Sequence, residues 1–562
     1  MKRILTLISV LSALTLQGQV GPLLESEWGQ KAPYNNSCPQ GTVTGCGPLA
    51  IGQILYYYRQ PEHGYGVKTY HATNLDTDIT IDYSTMTFDW ANVLPNYAGT
   101  YNSIQARAVA DIVYQIGVAM EANYDSSTSI NNYAKSLYGM QTYLHISPDS
   151  RYRKRKFYST PEWLEMINRD LEAGRPVYYR GDWKFNGETS GHIFVVDGID
   201  ADGNYHFNLG HNGSNDKFTD INVINQSGIA PGNRGVCYNY AQAAVFDCYP
   251  TPDCDSYLSQ ACLLDEPIVL NENMDLRTIT VPLGEKFSLG AVLRNVCDQK
   301  VTITYSWGLT KDGEEPTKYF NNSTYGLSGG HKFDGYRHRE VYIPAGTEDG
   351  NYNLYIYWKS DMTGNKWHRV WDNAPNKVDV VVANGKATIT VPDSHAGDPL
   401  IEAAKNITEV DILSPNTVPG RSFEIELVNS TSNNYEGPLK LVLTVADNTR
   451  STQTIEYTTD IALYSNTTVP HHILVPTSAI NLNNKTITDV KAYYTYRDEE
   501  KLIAVQNNTT TGIEAVDITD GNDTLAPIIY YDLNGAQVQA DALRPGVYIR
   551  RQGANTSKII IR

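Results

Sequence analysis

The sequence is poor in positive charge: 45 Lys and Arg residues stand against 62 Asp and Glu residues, which gives a formal net charge of −17. Phosphate backbones and anionic lipid surfaces repel such a chain, so neither nucleic acid nor a membrane surface is expected as its main partner. Beyond Leu16 no apolar run is long enough for a membrane-spanning segment. The cysteines include no CxxC pair, which argues against a structural zinc site. Neither a metal nor an organic cofactor is expected.

The N-terminus carries a short uncharged stretch. Lys2 and Arg3 precede a run from Ile4 to Leu16 without a charged residue. This run is too short to cross a bilayer and is typical of the apolar region of a secretory signal, the alternative being a buried first helix. We therefore predict a signal peptide over 1–18 and an exported protein.

The chain has seven cysteines, an odd number that leaves at least one thiol unpaired in an exported protein. Four of them, Cys248, Cys254, Cys262 and Cys297, fall within fifty residues. Because export permits disulfides, we expect at least one disulfide in this cluster. The spacing leaves the pairing open.

With 562 residues, the chain is too long for one domain. The part from 19 to 250 has helical periodicity after Cys46, from Asn102 to Asn123 and from Thr160, and strand patterns follow. Helices followed by strands predict an α+β domain.

From 263 onward an alternation of apolar and polar residues replaces the helical period. We predict two all-β sandwich domains, 263–385 and 395–512, joined by a linker from Asn384 to Asp398. A polar stretch then precedes a small β unit at 526–562.

Cys46 is the first candidate for chemistry. It begins the first predicted helix, where the helix dipole and free N–H groups favour the nucleophilic thiolate. His192 lies 146 residues downstream at the start of an apolar strand, within the spacing of papain-type Cys–His pairs. We predict that Cys46 is the nucleophile and His192 its base, paired as thiolate and imidazolium.

Two amides complete the predicted catalytic set. Gln30 precedes the cysteine and is expected to help bind the oxyanion with the backbone N–H of Cys46. Asn208 ends the strand after the histidine and is expected to orient the imidazole. Taken singly, each residue is more often structural: a buried cysteine is usually a small hydrophobe. The order Gln, Cys, His, Asn favours catalysis.

These residues occur in stretches that resemble the streptopain-type, papain-like cysteine proteases. The similar stretches are Val20–Leu24, Trp28–Gln30, Thr44–Cys46, Gly191–Gly198 and Tyr205–Gly210. The resemblance covers about residues 20–245. It implies a papain-like fold and a secreted endopeptidase that acts on extracellular proteins or peptides, often with an apolar residue at the second position before the cleaved bond.

The chain departs from the family pattern in three places. Leu209 and His211 stand where the family commonly has tryptophans that cover the histidine, and Gly47-Pro48 follows the cysteine where a larger apolar residue is usual. We also expect no room for an inhibitory pro-domain between the signal and Trp28. These departures keep open an alternative: a surface adhesin or binding protein with a degenerate, inactive protease core.

The far C-terminus has a second resemblance. Tyr531–Gly535, Leu543–Ile549 and Lys558–Arg562 are similar to the sorting domain of the type IX secretion system. This resemblance implies the type IX machinery as a partner. It also implies a Bacteroidetes-type Gram-negative host and a location outside the cell or on its outer surface.

Overall fold

A computed structural model describes most of the chain. The described residues are 19–185, 188–224, 237–252, 261–311, 314–316, 318–410, 419–447, 449, 451–479, 485–505, 528–531, 537–538, 546–552 and 555–561. The predicted signal peptide lies outside them. In the parts that are described, no helix has the length and apolar character needed to cross a membrane.

Two compact units make up the chain, Met1–Gln506 and Asn507–Arg562. The first contains an α+β part and two regions of β-sheet. The second contains four short strands. The predicted domain limits at 19–250, 395–512 and 526–562 stay a prediction.

The α+β part has four helices and an antiparallel six-stranded sheet. The helices are α1 (Cys46–Tyr58), α2 (Ser103–Ala119), α3 (Tyr133–Leu144) and α4 (Thr160–Glu172). A separate hairpin comprises β1 (Val67–Ala72) and β2 (Thr77–Asp82). The sheet, in the order β3-β8-β4-β5-β6-β7, comprises β3 (Arg151–Lys154), β4 (Val177–Phe185), β5 (Glu188–Ile199), β6 (Tyr205–Asn208), β7 (Lys217–Thr219) and β8 (Tyr240–Phe246).

Local signals in the sequence mark the helix starts, including Asn132, whose Oδ1 accepts from Lys135 N at 3.1 Å at the start of α3. α1 follows Gly45, and its apolar residues from Leu49 to Leu55 are buried on all sides. Asn102 caps α2 in a capping box with Gln105, and Ser159 caps α4 in the same way with Glu162. These three helices confirm the predicted ones, whereas α3 was not predicted.

The region after residue 261 forms three antiparallel or mixed sheets around one core. A seven-stranded sheet has the path β11-β21-β20-β17-β14-β15 with β18 beside β17, and two smaller sheets have the orders β10-β12-β16 and β13-β9-β19. The strands are β9 (Cys262–Leu264), β10 (Val269–Leu270), β11 (Thr278–Pro282), β12 (Lys286–Ala291), β13 (Leu293–Asn295), β14 (Val301–Thr310), β15 (Lys318–Leu327), β16 (Arg337–Tyr342), β17 (Gly350–Lys359), β18 (His368–Arg369), β19 (Trp371–Asp372), β20 (Val378–Ala383) and β21 (Lys386–Thr390).

A β-sandwich follows, with a buried core between two sheets. One sheet has the path β23-β24-β22-β30 with β27 beside β24, and the other has the order β26-β25-β28-β29. The strands are β22 (Glu402–Ala403), β23 (Thr408–Val410), β24 (Gly420–Asn429), β25 (Tyr435–Asp447), β26 (Thr452–Leu463), β27 (Thr467–Pro476), β28 (Lys485–Tyr496), β29 (Glu499–Leu502) and β30 (Ala504–Val505). Leu439, Leu441 and Leu443 alternate into this core, which confirms the predicted strand pattern.

The C-terminal unit is a four-stranded antiparallel sheet in the order β32-β31-β33-β34. Its strands are β31 (Ile528–Tyr531), β32 (Gln537–Val538), β33 (Gly546–Gln552) and β34 (Asn555–Ile561). Residues 532–535 of the stretch Tyr531–Gly535 and the polar stretch before the unit lie outside the described residues.

Two expectations for the junctions are wrong. The predicted linker from Asn384 begins inside the first β region, because Asn384-Gly385 is the turn between β20 and β21. β21 belongs to the seven-stranded sheet, since Ala387 and Ile389 alternate into its core.

The predicted disulfide is the second correction. Cys248, Cys262 and Cys297 are free, buried thiols, and Cys254 lies outside the described residues. Each of the three packs as a small apolar side chain in the core.

Buried contacts tie the α+β part to the first β region. One continuous apolar core includes residues from both, such as Tyr138 and Val296. The ammonium of Lys68, whose side chain is 1% exposed, lies 2.6 Å from Glu121 and 2.7 Å from Asp298 of the β region. Removing one partner of a buried charge is costly, so these ion pairs fix the two parts together.

Candidate active site

The backbone before Cys46 is held in a conformation that suits glycine. Gly45 has φ 83°, and a Cβ at this position would lie 2.9 Å from Cγ2 of Thr128. Only a residue without a side chain can make this approach. The chain then enters α1 at Cys46, so the thiol lies at the positive end of the helix dipole as predicted.

His192 lies on the central strand β5, opposite Gly181 of β4. Its Nε2 is 2.8 Å from the carbonyl oxygen of Leu209, which can only accept a hydrogen bond. The Nε2 atom therefore carries the hydrogen, and Nδ1 is the ring nitrogen that can accept a proton. The ring of His211 stacks on that of His192, with centroids 4.8 Å apart and planes 16° apart.

One cleft brings three of the four predicted catalytic residues together. It has a volume of about 450 Å³, and Cys46, His192 and Gln30 line it. The other lining residues are Lys31, Val43, Ser126, Ser127, Thr128, Gly191, Gly210, His211 and Asn212. Gln30 is tethered near the cysteine, since its carbonyl accepts a hydrogen bond from the backbone of Thr44 at 3.2 Å.

Asn208 ends β6, as predicted, but its side chain bonds groups other than His192. Its side chain is buried; Oδ1 accepts from Nε2 of Gln53 at 3.0 Å and from Gly210 N at 3.2 Å, and Nδ2 donates to the carbonyl of Ser26 at 2.7 Å. Both lone pairs of Oδ1 are thus engaged, and His192 Nε2 donates its hydrogen to the Leu209 carbonyl instead of to Asn208. Asn208 holds the end of β6 in place.

Gln53 is a residue that the sequence interpretation missed. It lies on α1 and is fully buried, and its Oε1 accepts from the backbone N–H of Trp28 at 3.2 Å while Nε2 bonds Asn208. The nucleophile helix, the segment that carries Gln30 and the end of β6 are thereby linked through one side chain. The signal in the sequence was a glutamine among the apolar residues of the predicted helix, because a polar side chain that is buried needs hydrogen-bond partners.

His211 supplies a ring where the sequence predicts that the covering aromatics are missing. It lines the cleft and lies flat against His192. The two tryptophans of the family pattern are absent, and the imidazole of His211 stacks on His192 in their place. The Ser126–Thr128 loop, which lines the other wall, had no signal in the sequence.

Burial is the main cause of the pKa shifts of Cys46 and His192. It raises the pKa of the Cys46 thiol, although hydrogen bonds from the backbone and the charge of Arg180 oppose the effect. It lowers the pKa of His192 to about 4, with a contribution from His211 and opposition from the Leu209 carbonyl. Both shifts favour the neutral thiol and imidazole over the predicted ion pair in the free protein.

Known proteins are similar to the α+β part of the chain. The model of the peptidase C10 family matches residues 28–218. Streptopain of Streptococcus pyogenes is 28% identical over 261 residues, which cover 42% of this chain and 64% of streptopain. The chain thus spans less than two thirds of that relative.

Two further relatives come from other bacteria. The thiol protease/hemagglutinin PrtT of Porphyromonas gingivalis is 27% identical over 253 residues, covering 42% of this chain and 28% of PrtT. The structure of active wild-type interpain A cysteine protease of Prevotella intermedia is 31% identical, with a TM-score of 0.38, and the match covers 41% of this chain and 95% of interpain A. Residues 28–218 are therefore a streptopain-type cysteine peptidase region that matches the peptidase C10 family.

Proposed function

We propose that this protein is a secreted cysteine endopeptidase that hydrolyses extracellular proteins or peptides through Cys46 and His192. The observation that carries the proposal is the cleft in which Cys46, His192 and Gln30 meet. Acyl transfer requires a nucleophile, a base and a donor to the oxyanion. The cleft offers a thiol at a helix start, a histidine with a fixed tautomer and a side-chain amide.

The reaction begins from the neutral pair. As the sulfur of Cys46 attacks the peptide carbonyl, its proton moves to Nδ1 of His192, because Nε2 already carries a hydrogen. The negative charge on the carbonyl oxygen is stabilised by the side-chain amide of Gln30 and the backbone N–H of Cys46. His192 then gives its proton to the leaving amine as the C–N bond breaks.

The second half of the reaction releases the acyl group. Water attacks the thioester while His192 takes one of its protons, and the C–S bond breaks. The proton returns to the sulfur of Cys46, so that the acid product leaves and the neutral pair is restored. Stacking by His211 excludes water from one face of the imidazole during both steps.

The C-terminal sheet supports a proposal about location. A compact unit that separates from the rest of the chain at 506–507 suits a signal that export machinery recognises. We assign it to type IX secretion, with the outer surface of a Gram-negative bacterium as the destination. Deletion of residues 526–562 is expected to leave the purified protein active and to strand it in the periplasm of its host.

The experiment for the activity uses the full chain. Purified wild-type protein is expected to cleave casein, and Cys46→Ala is expected to lose this activity without a loss of folding, as measured by circular dichroism. Cys38→Ala is the matched control, since Cys38 is a buried thiol outside the cleft. A chain that folds but cleaves neither casein nor a peptide library would be a binding protein with an inactive core.

A further inference from the structure

An ion pair lies behind one wall of the cleft. Arg180 and Asp182 of β4 bond to each other, and their side chains are only 14% and 12% exposed. Arg180 is directly opposite Ile193 of β5, and Asp182 is opposite Gly191. Because directly opposed residues in a sheet project to the same face, these four residues share one face of the sheet.

This face packs against the first turn of the nucleophile helix. Cδ1 of Ile193 lies 3.2 Å from the position that a Cβ of Gly47 would take, and the backbone of Ile193 interacts with the Cys46 thiol. Arg180 is therefore one strand away from the residue that touches the nucleophile. Directly opposed residues are about 5 Å apart at Cβ, and the charge of Arg180 acts on the Cys46 thiol.

The ion pair also lies directly beneath the cleft wall at Gly191. A Cβ on Gly191 would lie 2.8 Å from Oδ1 of Asp182 and 3.5 Å from Nη2 of Arg180. The guanidinium is fixed by stacking over the ring of Tyr133 at 4.1 Å. A rigid charge in a poorly solvated position acts on its neighbours more strongly than a mobile surface charge does.

We propose that Arg180 is a positioning residue that stabilises the thiolate of Cys46 and that Asp182 moderates this effect. Arg180 keeps its charge throughout the working pH range, whereas His192 is neutral over most of it. The charge of Arg180 also lowers the pKa of the Cys46 thiol against the effect of burial. The other titratable or charged groups around Cys46 are His192 on β5, His211 and Lys31 at the cleft, Tyr178 on β4 and Tyr133 on α3.

The inference rests on the proposed function for its meaning, but its test does not need peptide turnover. The rate of Cys46 alkylation by iodoacetamide is measured from pH 5 to 10 on the full chain, with the Cys46 peptide quantified by mass spectrometry. Arg180→Gln is expected to raise the midpoint of the alkylation profile by about one pH unit, and Arg180→Lys to restore it. Asp182→Asn is expected to lower the midpoint.

Shifts in opposite directions separate an electrostatic role from loosened packing, since packing defects would alter both variants alike. Arg107→Gln is the control for loss of a paired cation elsewhere; exposed Arg107 pairs with Asp111 at 3.2 Å on α2, and its loss should leave the midpoint unchanged. An unmoved midpoint in Arg180→Gln, or a rise in Asp182→Asn, would overturn the inference. A wild-type chain that cleaves no peptide, yet shows the opposite shifts, would refute only the proposed function.

Discussion

The imidazole of His192 donates its Nε2 hydrogen to the backbone carbonyl of Leu209 across 2.8 Å. This contact fixes the tautomer and leaves Nδ1 to exchange the proton with Cys46. The acceptor is a backbone oxygen, so the orientation of the imidazole depends on the contacts that hold the main chain at Leu209. The Leu209 N–H donates to Oδ1 of Asp216 at 2.8 Å, which makes Asp216 the anchor of this segment.

Loss of that anchor is expected to slow the reaction. Asp216→Ala frees the Leu209 backbone, so the imidazole is less well aligned and kcat falls about tenfold with a smaller change in KM. Asp216→Asn keeps an oxygen acceptor and should retain most of kcat. Steady-state kinetics on a fluorogenic peptide measure both, and equal losses in the two variants would contradict the anchoring role.

Asn208 is expected to act on stability rather than directly on chemistry. Asn208→Ala leaves the Gln53 amide and the Ser26 carbonyl without their buried partner, which costs about 2 kcal/mol of unfolding free energy. Asn131→Ala, at an exposed position, is the control and should change stability by less than about 0.5 kcal/mol. Urea unfolding measures both; an Asn208→Ala protein as stable as the wild type would show that these bonds contribute little.

Acid is expected to destabilise the protein through His192. The pKa of His192 is about 4 when folded, below its ordinary 6.5, so the unfolded chain binds more protons between these values. The contribution of His192 to the free energy of unfolding is fully present above pH 6.5. It falls by up to about 3 kcal/mol as the pH drops towards 4. His192→Asn should show a shallower decline in urea unfolding between pH 7 and 4.5. Identical slopes in the two proteins would contradict the shift.

Gly45 and Gly203 offer a matched pair for testing the approach to the nucleophile. Their φ values are 83° and 81°, so alanine costs each about 1–2 kcal/mol of backbone strain. A Cβ at Gly203 meets nothing within 4 Å, whereas one at Gly45 meets Thr128. Gly45→Ala should therefore displace Cys46 and reduce kcat/KM more than tenfold, while Gly203→Ala keeps it. Similar activities in the two variants would count against a tightly fitted nucleophile turn.

Helices that carry a cap and an apolar period in the sequence could be predicted. A helix whose residues are chosen for close packing against a neighbour could not. α2 and α4 carry their caps in the sequence, at Asn102 and Ser159. α3 also has a cap, at Asn132, but it contains Gly139, whose Cβ would lie 2.0 Å from the Ala119 carbonyl. That glycine lets α3 approach α2, a tertiary requirement that reads in the sequence as a helix breaker.

The candidate site likewise contains residues that the sequence predicts and groups that only the fold brings there. Cys46, His192 and Gln30 were predicted from residue types and their order, and they line one cleft. The Leu209 carbonyl could not be predicted, because a backbone acceptor leaves no mark in the residue type. The stacked ring of His211 and the charge of Arg180 depend on which residues the sheet brings beside Cys46 and His192.

The most direct measurement of the central claim is covalent labelling with E-64, an irreversible inhibitor of papain-type enzymes. The full chain is incubated with E-64 near neutral pH and digested, and the adduct is located by mass spectrometry. We predict one adduct per chain, on Cys46, with casein cleavage lost in parallel and no adduct in Cys46→Ala. An unlabelled Cys46 in a protein that still cleaves casein, or an adduct on another cysteine, would contradict the assignment of Cys46 as the nucleophile.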